Sequence, residues 1–410
     1  MNKKLMAVAV AGALAAPGVA LAQASSVTIS GIFKVGLERL DYNNASPTRL
    51  NSNQMRVVDN SSRIIFNVNE GLGNGLEAVA QLDLRFAPDQ AATVQTSNAI
   101  GGGNTWVGLK SSKYGRLTLG RHDLHYGKAP DDTAAKAGAL EAAAVSLFDY
   151  INGTAIANGS RTQNVVRYDM PTFNGLDMIV AWSANPINSS ESDMLNTTGS
   201  AAWVPLVGTG LPGAISGTAA LGATAPVAGV TQSRKGEGWN INPQYTNGPW
   251  QIGYSYWSAK MDSPLTTSTD QRSDVVYGYY KFGGFKVGLA WNQSKLENAT
   301  TGAKAGDRDA WSIPMSYVTG PHNFVGHYTW ADDNSNAAGT IANSASQMIS
   351  LAYVYDLSKR TSVGLTYSQI KNEAAASYNF FTSASLGSID TTPVAGEKPR
   401  MIQATVRHAF

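Results

Sequence analysis

The 410-residue chain contains no cysteine. A disulfide framework and thiolate metal centres are therefore excluded, and the chain suits an oxidising compartment in which stray thiols would mispair. Net charge is nearly absent as well: 31 Lys and Arg against 29 Asp and Glu leave +2. Two of those lysines, Lys3 and Lys4, lie at the extreme N-terminus, so the rest of the chain is formally neutral. It offers no strong field for holding nucleic acid, and no nucleic-acid partner is expected. Past the first residues there is no run of 18 apolar side chains, so no transmembrane helix is expected. Nor does a Pro- or Ser-rich linker divide the sequence. One local pattern continues from Val27 to Phe410 and predicts a single domain.

The N-terminus has a different character. Lys3 and Lys4 precede an apolar run, Leu5 to Ala16, followed by Pro17-Gly18 and a small-x-small site at Ala20-Leu21-Ala22. This is the layout of a secretory signal peptide. It is expected to span residues 1–22, leaving 23–410 as the folded part.

From Val27 onward, short stretches rich in Val, Tyr, Trp, Thr and Gly alternate apolar with polar side chains, the signature of half-buried strands. "LEAVAQLDLRF" places Leu76, Ala78, Ala80, Leu82, Leu84 and Phe86 on one face and Glu77, Gln81, Asp83 and Arg85 on the other. "FKVGLAWNQSK" opposes Phe285, Val287, Leu289 and Trp291 to Lys286 and Asn292. The final stretch, "MIQATVRHAF", sets Ile402, Ala404, Val406, His408 and Phe410 against Gln403, Thr405 and Arg407. A terminus of that kind is expected to be paired rather than frayed.

Seven short connections, such as Gly71–Gly75, Ser111–Gly115 and Gly283-Gly284, alternate with eight long ones, among them 87–103, 122–160 and 185–238. Fifteen connections join sixteen strands, and short turns on one rim with long loops on the other describe an up-and-down antiparallel sheet. An even strand count lets the sheet close without an edge, the last strand pairing with the first near Val27–Leu37. A sixteen-stranded cylinder is too wide for side chains to fill, so the polar faces line a wet interior and the apolar faces look outward to lipid. The predicted fold is thus an all-β, 16-stranded antiparallel transmembrane β-barrel. Tyr168, Phe173, Trp250, Trp257, Trp311 and Trp330 are expected in aromatic girdles at the membrane interfaces.

Several stretches together resemble the general porins of Gram-negative outer membranes: "SGIFKVGLERL", "SRIIFNVNEGLGNGLEAVAQLD", "NTWVGLKSSKYGRLTLGR", "SRTQNVVRYDMPTFNGLD", "YDLSKRTSVGLTYS" and the terminal Phe410. The resemblance implies an outer-membrane homotrimer of water-filled pores for ions and small hydrophilic solutes. It also implies a third loop folded inward, surrounding lipid and lipopolysaccharide, and a C-terminal Phe410 read by the barrel-insertion machinery. Matched motif by motif, Lys34, Arg63, Arg121 and Arg161 fall at basic wall positions of the constriction. Alternation supports three of these: Lys34 shares a face with Ser30 and Glu38, Arg63 with Asn67, and Arg161 with Gln163, Arg167 and Asp169. Arg121 instead falls in register with Leu117 and Leu119, and a bulge near Gly120 is needed to turn it inward. Arg167 is a further lining candidate, as are Asp123, Asp131, Asp132 and Glu141 on the third loop, which is Ala-rich and suited to a short helix.

Other chemistries find less support. "GLGNGL" superficially matches a phosphate loop but lacks the strand-then-helix context and reads as a hairpin turn. His122 and His125 in "HDLH" have the spacing of metal ligands but no companion cluster, so neither a metal nor a cofactor is expected. A barrel enzyme would need a nucleophile beside a histidine, and among five histidines only His327 lies mid-strand. A substrate-specific channel would show an aromatic slide along the lumen, whereas most aromatics here fall on the outward register. The weak basic excess at the constriction predicts a modest preference for anions.

Overall fold

The structure is a computed structural model that describes residues 25–43, 45–47, 52–89, 102–125, 128, 132–148, 150–151, 154–155, 161–186, 194–195, 234–261, 269–381 and 394–410. The leader at 1–22 and Asp131 lie outside the described residues. Sixteen strands make the wall: β1 (Ser25–Asn43), β2 (Asn53–Asp59 continued by Arg63–Gly73), β3 (Leu76–Arg85), β4 (Thr105–Ser111), β5 (Gly115–His122), β6 (Thr162–Asp169), β7 (Leu176–Ser183) and β8 (Arg234–Asn247). The circuit goes on through β9 (Trp250–Met261), β10 (Thr269–Phe282), β11 (Phe285–Asn298), β12 (Lys304–Thr319), β13 (His322–Ala331), β14 (Ser346–Asp356), β15 (Thr361–Asn372) and β16 (Lys398–Ala409). Every neighbouring pair is antiparallel, and β16 returns to β1 from Ile32↔Ala409 to Asn43↔Lys398. The closing contact lies nearer the long-loop rim than Val27–Leu37, because the chain runs out at Phe410, opposite Gly31.

From Gly31 to Asn43, β1 is paired on its β16 side, and this closure is the condition for backbone groups to survive in hydrocarbon. Side chains are arranged inside out relative to a soluble protein. Val27, Ile29, Val107, Leu119, Leu289, Leu351 and Val406 are exposed, while Thr118, Asn240, Ser255, Asn292, Thr329, Ser350, Thr366 and Gln403 are buried. The inward hydroxyls satisfy one another across strands, as in Ser350–Ser368 at 2.6 Å and Ser312–Thr329 at 2.7 Å. Among the described residues, no helix is long and apolar enough to cross a membrane.

Aromatic rings mark two levels on the outer surface. Near the short-turn rim, Phe282, Phe285, Tyr317, Phe324 and Tyr353 follow one another around the wall with centroids 4.2–6.4 Å apart. Nearer the loops, Trp291, Trp311 and Trp330 form a second row at 6.4 and 6.2 Å. Trp257 belongs to neither. It points inward and is fully buried against Leu124, Val165, Ala181 and Ala259, because its position on β9 shares parity with the lumen-facing Ser255. The turn at "GLGNGL" is a hairpin in which Asn74 and Gly75 both take positive φ, 52° and 75°, as a tight two-residue connection requires.

The interior is not wet throughout. The connection after β5 folds inside the barrel, with a 3₁₀ turn at Leu140–Ala142 and a one-turn helix α1 (Val145–Phe148). Leu147 and Phe148 pack with Leu40, Tyr42, Met348, Ile370 and Met401 of the wall and with Tyr378 and Phe380 of the connection after β15. The Phe381 amide donates to Ser146 Oγ at 3.0 Å. An apolar core therefore fills one side of the lumen, which alternation alone does not predict because Leu147, Phe148, Tyr378 and Phe380 come from long loops.

Candidate functional site

The inward-folded loop is held by named contacts along its length. At its root, His125 is buried between Ser255 Oγ at 2.8 Å and Ser273 Oγ at 2.9 Å, and burial followed by the nearby Lys128 charge pushes its imidazole down to about 3. It stays neutral and serves as a peg. Farther along, Lys34 Nζ donates to the Ala134 carbonyl at 2.8 Å, Lys136 pairs with Asp356, and the Ala139 amide donates to Thr366 Oγ1 at 3.0 Å. His327 meets the Ala142 carbonyl at 2.8 Å, and Arg308 donates to the Phe148 carbonyl at 2.8 Å. These anchors lie on β1 and on β12 to β15, so the loop crosses the lumen and rests on the wall across from its root.

The remaining wall carries a row of cations. Arg63 on β2 stands directly opposite Arg85 on β3, and Lys34 on β1 opposite Arg407 on β16. Arg63 also lies within electrostatic range of Arg407, Asp83 and Asp123, and Arg121 within range of Arg161, Asp123 and Arg85. Lys34, Arg63, Arg85, Arg121, Arg161 and Arg407 thus form a continuous basic band, with Asp83 and Asp123 set among the arginines and Asp59 and Glu141 within electrostatic range of Lys34 at its edge. Asp83 is clasped by Arg85 at 2.7 Å. Beside the band, Arg167 and Arg116 share Asp169, at 2.6 and 3.1 Å.

Two of these arginines reach the band through backbone irregularities. A register shift at Gly120–His122, with Gly120 at φ 146°, carries Arg121 to the strand end, where its Nε donates to the Arg161 carbonyl at 2.8 Å. Arg161 precedes β6 with φ 47°, and Asn164 at φ 56° interrupts the alternation between it and Arg167. Parity therefore links Arg167 with Asp169 but does not extend to Arg161. Arg161 is fixed instead by its amide, which donates to Asp123 Oδ1 at 2.7 Å.

The acidic candidates separate. Asp123 sits within the band at the loop's root. Burial works against its charge, but the Arg161 and Arg85 guanidiniums, the Arg161 amide and the Asn104 side chain outweigh it and hold the carboxyl below its usual range. Asp132 does not face the band: it pairs with Lys286 on β11 and accepts from Ser316 Oγ at 3.4 Å, because the loop has by then crossed the lumen. Glu141 is buried against β16 and β1. Gln403 Nε2 donates both to it, at 3.4 Å, and to Glu38, at 2.9 Å, and Arg56 donates to Glu38 at 2.9 Å. Burial and the Glu38 charge push the Glu141 carboxyl up to about 8.

The sequence placed Arg85 and Arg407 on polar faces without singling them out. The signal was present, since Arg85 shares parity with Asp83, and Arg407 lies across the closing seam from Lys34. Glu38 was legible only as a neighbour of Lys34. Among the described residues, no group of three or more His, Cys, Asp or Glu forms a metal site.

A closed sixteen-stranded barrel, apolar outside and charged inside, with a loop folded across its bore, defines an outer-membrane channel wall. The chain belongs to the Gram-negative porin family, whose model matches residues 7–375. An outer membrane porin protein of Bordetella pertussis is 25% identical over 91% of this chain and 95% of its own length. The major outer membrane protein P.IB of Neisseria meningitidis serogroup B is 30% identical over 45% of this chain and 50% of its own. Among solved structures, an anion-selective porin from Comamonas acidovorans superposes with a TM-score of 0.67 at 21% identity, covering 94% of this chain and all of that one. The protein is an outer-membrane porin.

Proposed function

We propose that the channel passes small hydrophilic solutes by passive diffusion with a modest preference for anions. The observation that carries this reading is the basic band, in which six cations outnumber the four carboxylates within their range, Asp59, Asp83, Asp123 and Glu141. Charges across a narrow aqueous bore raise the local concentration of counter-ions and create a transverse field that disfavours apolar solutes. Lys34, Arg63, Arg121 and Arg161, with Arg85, Arg407 and Arg167, line the constriction in this reading. Asp123 moderates their charge, while Glu141 and Asp132 secure the loop. The pore works without cofactor or covalent chemistry.

A homotrimer is the proposed assembly. β4 has 7 residues and β5, β6 and β7 have 8 each, fewer than the roughly 9–11 a strand needs to cross lipid. That low wall carries Val107, Leu109, Leu117 and Leu119 on its outer face, a surface suited to neighbouring copies. Residues 1–22 act as a signal peptide in this proposal, the 23–410 remainder folds as the barrel, Phe410 is read during insertion, and lipopolysaccharide surrounds the outer rim.

The test is the zero-current potential in a planar bilayer under a KCl gradient. Wild type is expected to show a potential of the anion-selective sign that shrinks at high salt. Arg63→Gln with Arg161→Gln should move it toward cation preference. An unchanged potential would remove those residues from the constriction.

A further inference from the structure

One indole faces the pore rather than the lipid or the loop core. Among the described tryptophans, only Trp106 on β4 and Trp257 on β9 have lumen parity; Trp257 is fully buried, whereas Trp106 stays partly exposed. Its strand neighbours Val107 and Leu109 point outward. Trp106 stands opposite Gly120 on β5, and the next inward position, Gly108, stands opposite Thr118. Neither glycine has a side chain to fill the wall beside the indole. The ring is bordered instead by His122, stacked at 5.9 Å and 15°, and by the Arg116 guanidinium, 5.2 Å from its centroid. Thr118 Oγ1 holds His122 at 3.1 Å, so one border of this platform is fixed.

Cations in excess of their counter-charges adjoin the ring. Across the sheet, Thr118 pairs with Arg167 and Arg116 with Asp169. Arg116 and Arg167 both lean on Asp169, which sets two guanidiniums on one carboxylate. Lys128 of the inward connection is a third cation, within electrostatic range of Arg167, Asp123 and Asp169. It makes no ion pair or hydrogen bond among the described residues. Both oxygens of Asp123 accept elsewhere, Oδ1 from the Arg161 amide at 2.7 Å and Oδ2 from Asn104 at 2.8 Å. Burial, followed by the Arg167 charge, brings the Lys128 ammonium down to about 8, the condition of a cation short of counter-charge.

We infer that Trp106, Arg116, Arg167 and Lys128 form a subsite for aromatic carboxylates on the pore wall beside the basic band. The indole offers a solute ring an offset-stacked or edge-on contact. The guanidiniums and the ammonium take the carboxylate, and the bare wall at Gly108 and Gly120 leaves room for a planar solute. Chloride uses only the charges, and an aliphatic carboxylate gains nothing from the π face. The inference rests on the reading of the barrel as a diffusion channel and narrows its solutes to a class. A tryptophan that merely covered the two glycines would be replaceable by any apolar side chain of sufficient size.

The test uses the full-length protein in planar bilayers in KCl, with benzoate or cyclohexanecarboxylate added to one side. The two anions share charge and approximate size, and only benzoate has a π face. The readout is the concentration of each that halves the current. In wild type it should be at least about threefold lower for benzoate. Trp106→Leu, which still covers the glycines, should bring the two concentrations together, and Trp106→Phe should keep them apart. Lys128→Gln should raise both in parallel, and Trp291→Leu on the lipid face should change neither. The KCl zero-current potential is recorded first in each bilayer. An anion-selective potential with no benzoate preference sinks the subsite alone, while a benzoate preference without anion selectivity sinks the reading of the basic band alone. The inference is overturned if wild type does not distinguish the two carboxylates, if Trp106→Leu keeps the wild-type ratio, or if Lys128→Gln shifts neither concentration.

Discussion

At the scale of single residues, the most consequential group outside the basic band is Glu141. Its carboxyl is buried against Glu38 under a shared Gln403 amide, with Arg56 on the far side of Glu38 and Lys34 nearby. Burial and the Glu38 charge raise it from the ordinary 4.5 to about 8. A raised carboxyl means that the docked loop holds a proton that a released loop gives up. Docking is therefore undiminished below about pH 4.5, weakens progressively as pH climbs from there to about 8, and is level above that. Glu141→Gln should flatten this dependence. Open-channel current noise measured from pH 4.5 to 9 is the readout: rising noise in wild type and a flat profile in the variant are expected, and parallel profiles would refute the assignment. None of this was legible in sequence, where Glu141 was one acid in an Ala-rich loop. Alternation tells which face a strand residue occupies but not what a loop residue will meet across a barrel.

Among the elements, the inward loop is the one whose position decides the bore. Its path over β15 depends on Gly364, where a Cβ would overlap the Ala137 carbonyl, with the carbonyl carbon at 2.9 Å. Gly364→Leu should lift the segment around Lys136 from the wall and loosen its pairing with Asp356, changing single-channel conductance and increasing gating events. The barrel itself should still form, since β15 keeps its partners. Unchanged traces would show that the loop is fixed by its other anchors alone. The strands were readable because their period-two pattern continues for most of the chain, and the turns because Asn and Gly mark them. The interruption of β2 at 60–62, the inward Trp257 and the positive-φ residues flanking β6 escaped notice, each being a local departure set by tertiary fit. Arg121 shows the boundary well: the need for a bulge followed from parity, while its contact with the Arg161 carbonyl depended on a loop of unpredictable path.

For the whole molecule, the decisive feature is closure. Gly31 lies at the seam, bonded in both directions to Phe410 at 3.1 Å, and a Cβ there would overlap the Phe410 ring and sit 2.7 Å from the Arg63 carbonyl. Gly31→Val should therefore destabilise the closed barrel by about 1–3 kcal/mol, as overpacking does. The expected readout is a lowered temperature for the heat-induced mobility shift in unboiled gel samples; an unchanged temperature would argue against the seam as drawn. The inside-out distribution of side chains was the part of the design most fully visible beforehand. It follows from strand count, alternation and the width of a sixteen-stranded cylinder. Filling of one side of the lumen by apolar loop residues was not visible, because it arises from contacts between distant loops.

Because the chain lacks cysteine, single thiols can report which faces meet water. Arg63→Cys, Arg407→Cys, Leu119→Cys and Leu289→Cys variants would be inserted singly into planar bilayers and exposed to an anionic methanethiosulfonate while current is recorded. The first two should react and lose current in discrete steps, and the last two should give no change. Reaction at Leu119→Cys or Leu289→Cys with the arginine positions inert would contradict a barrel with lipid outside and water within.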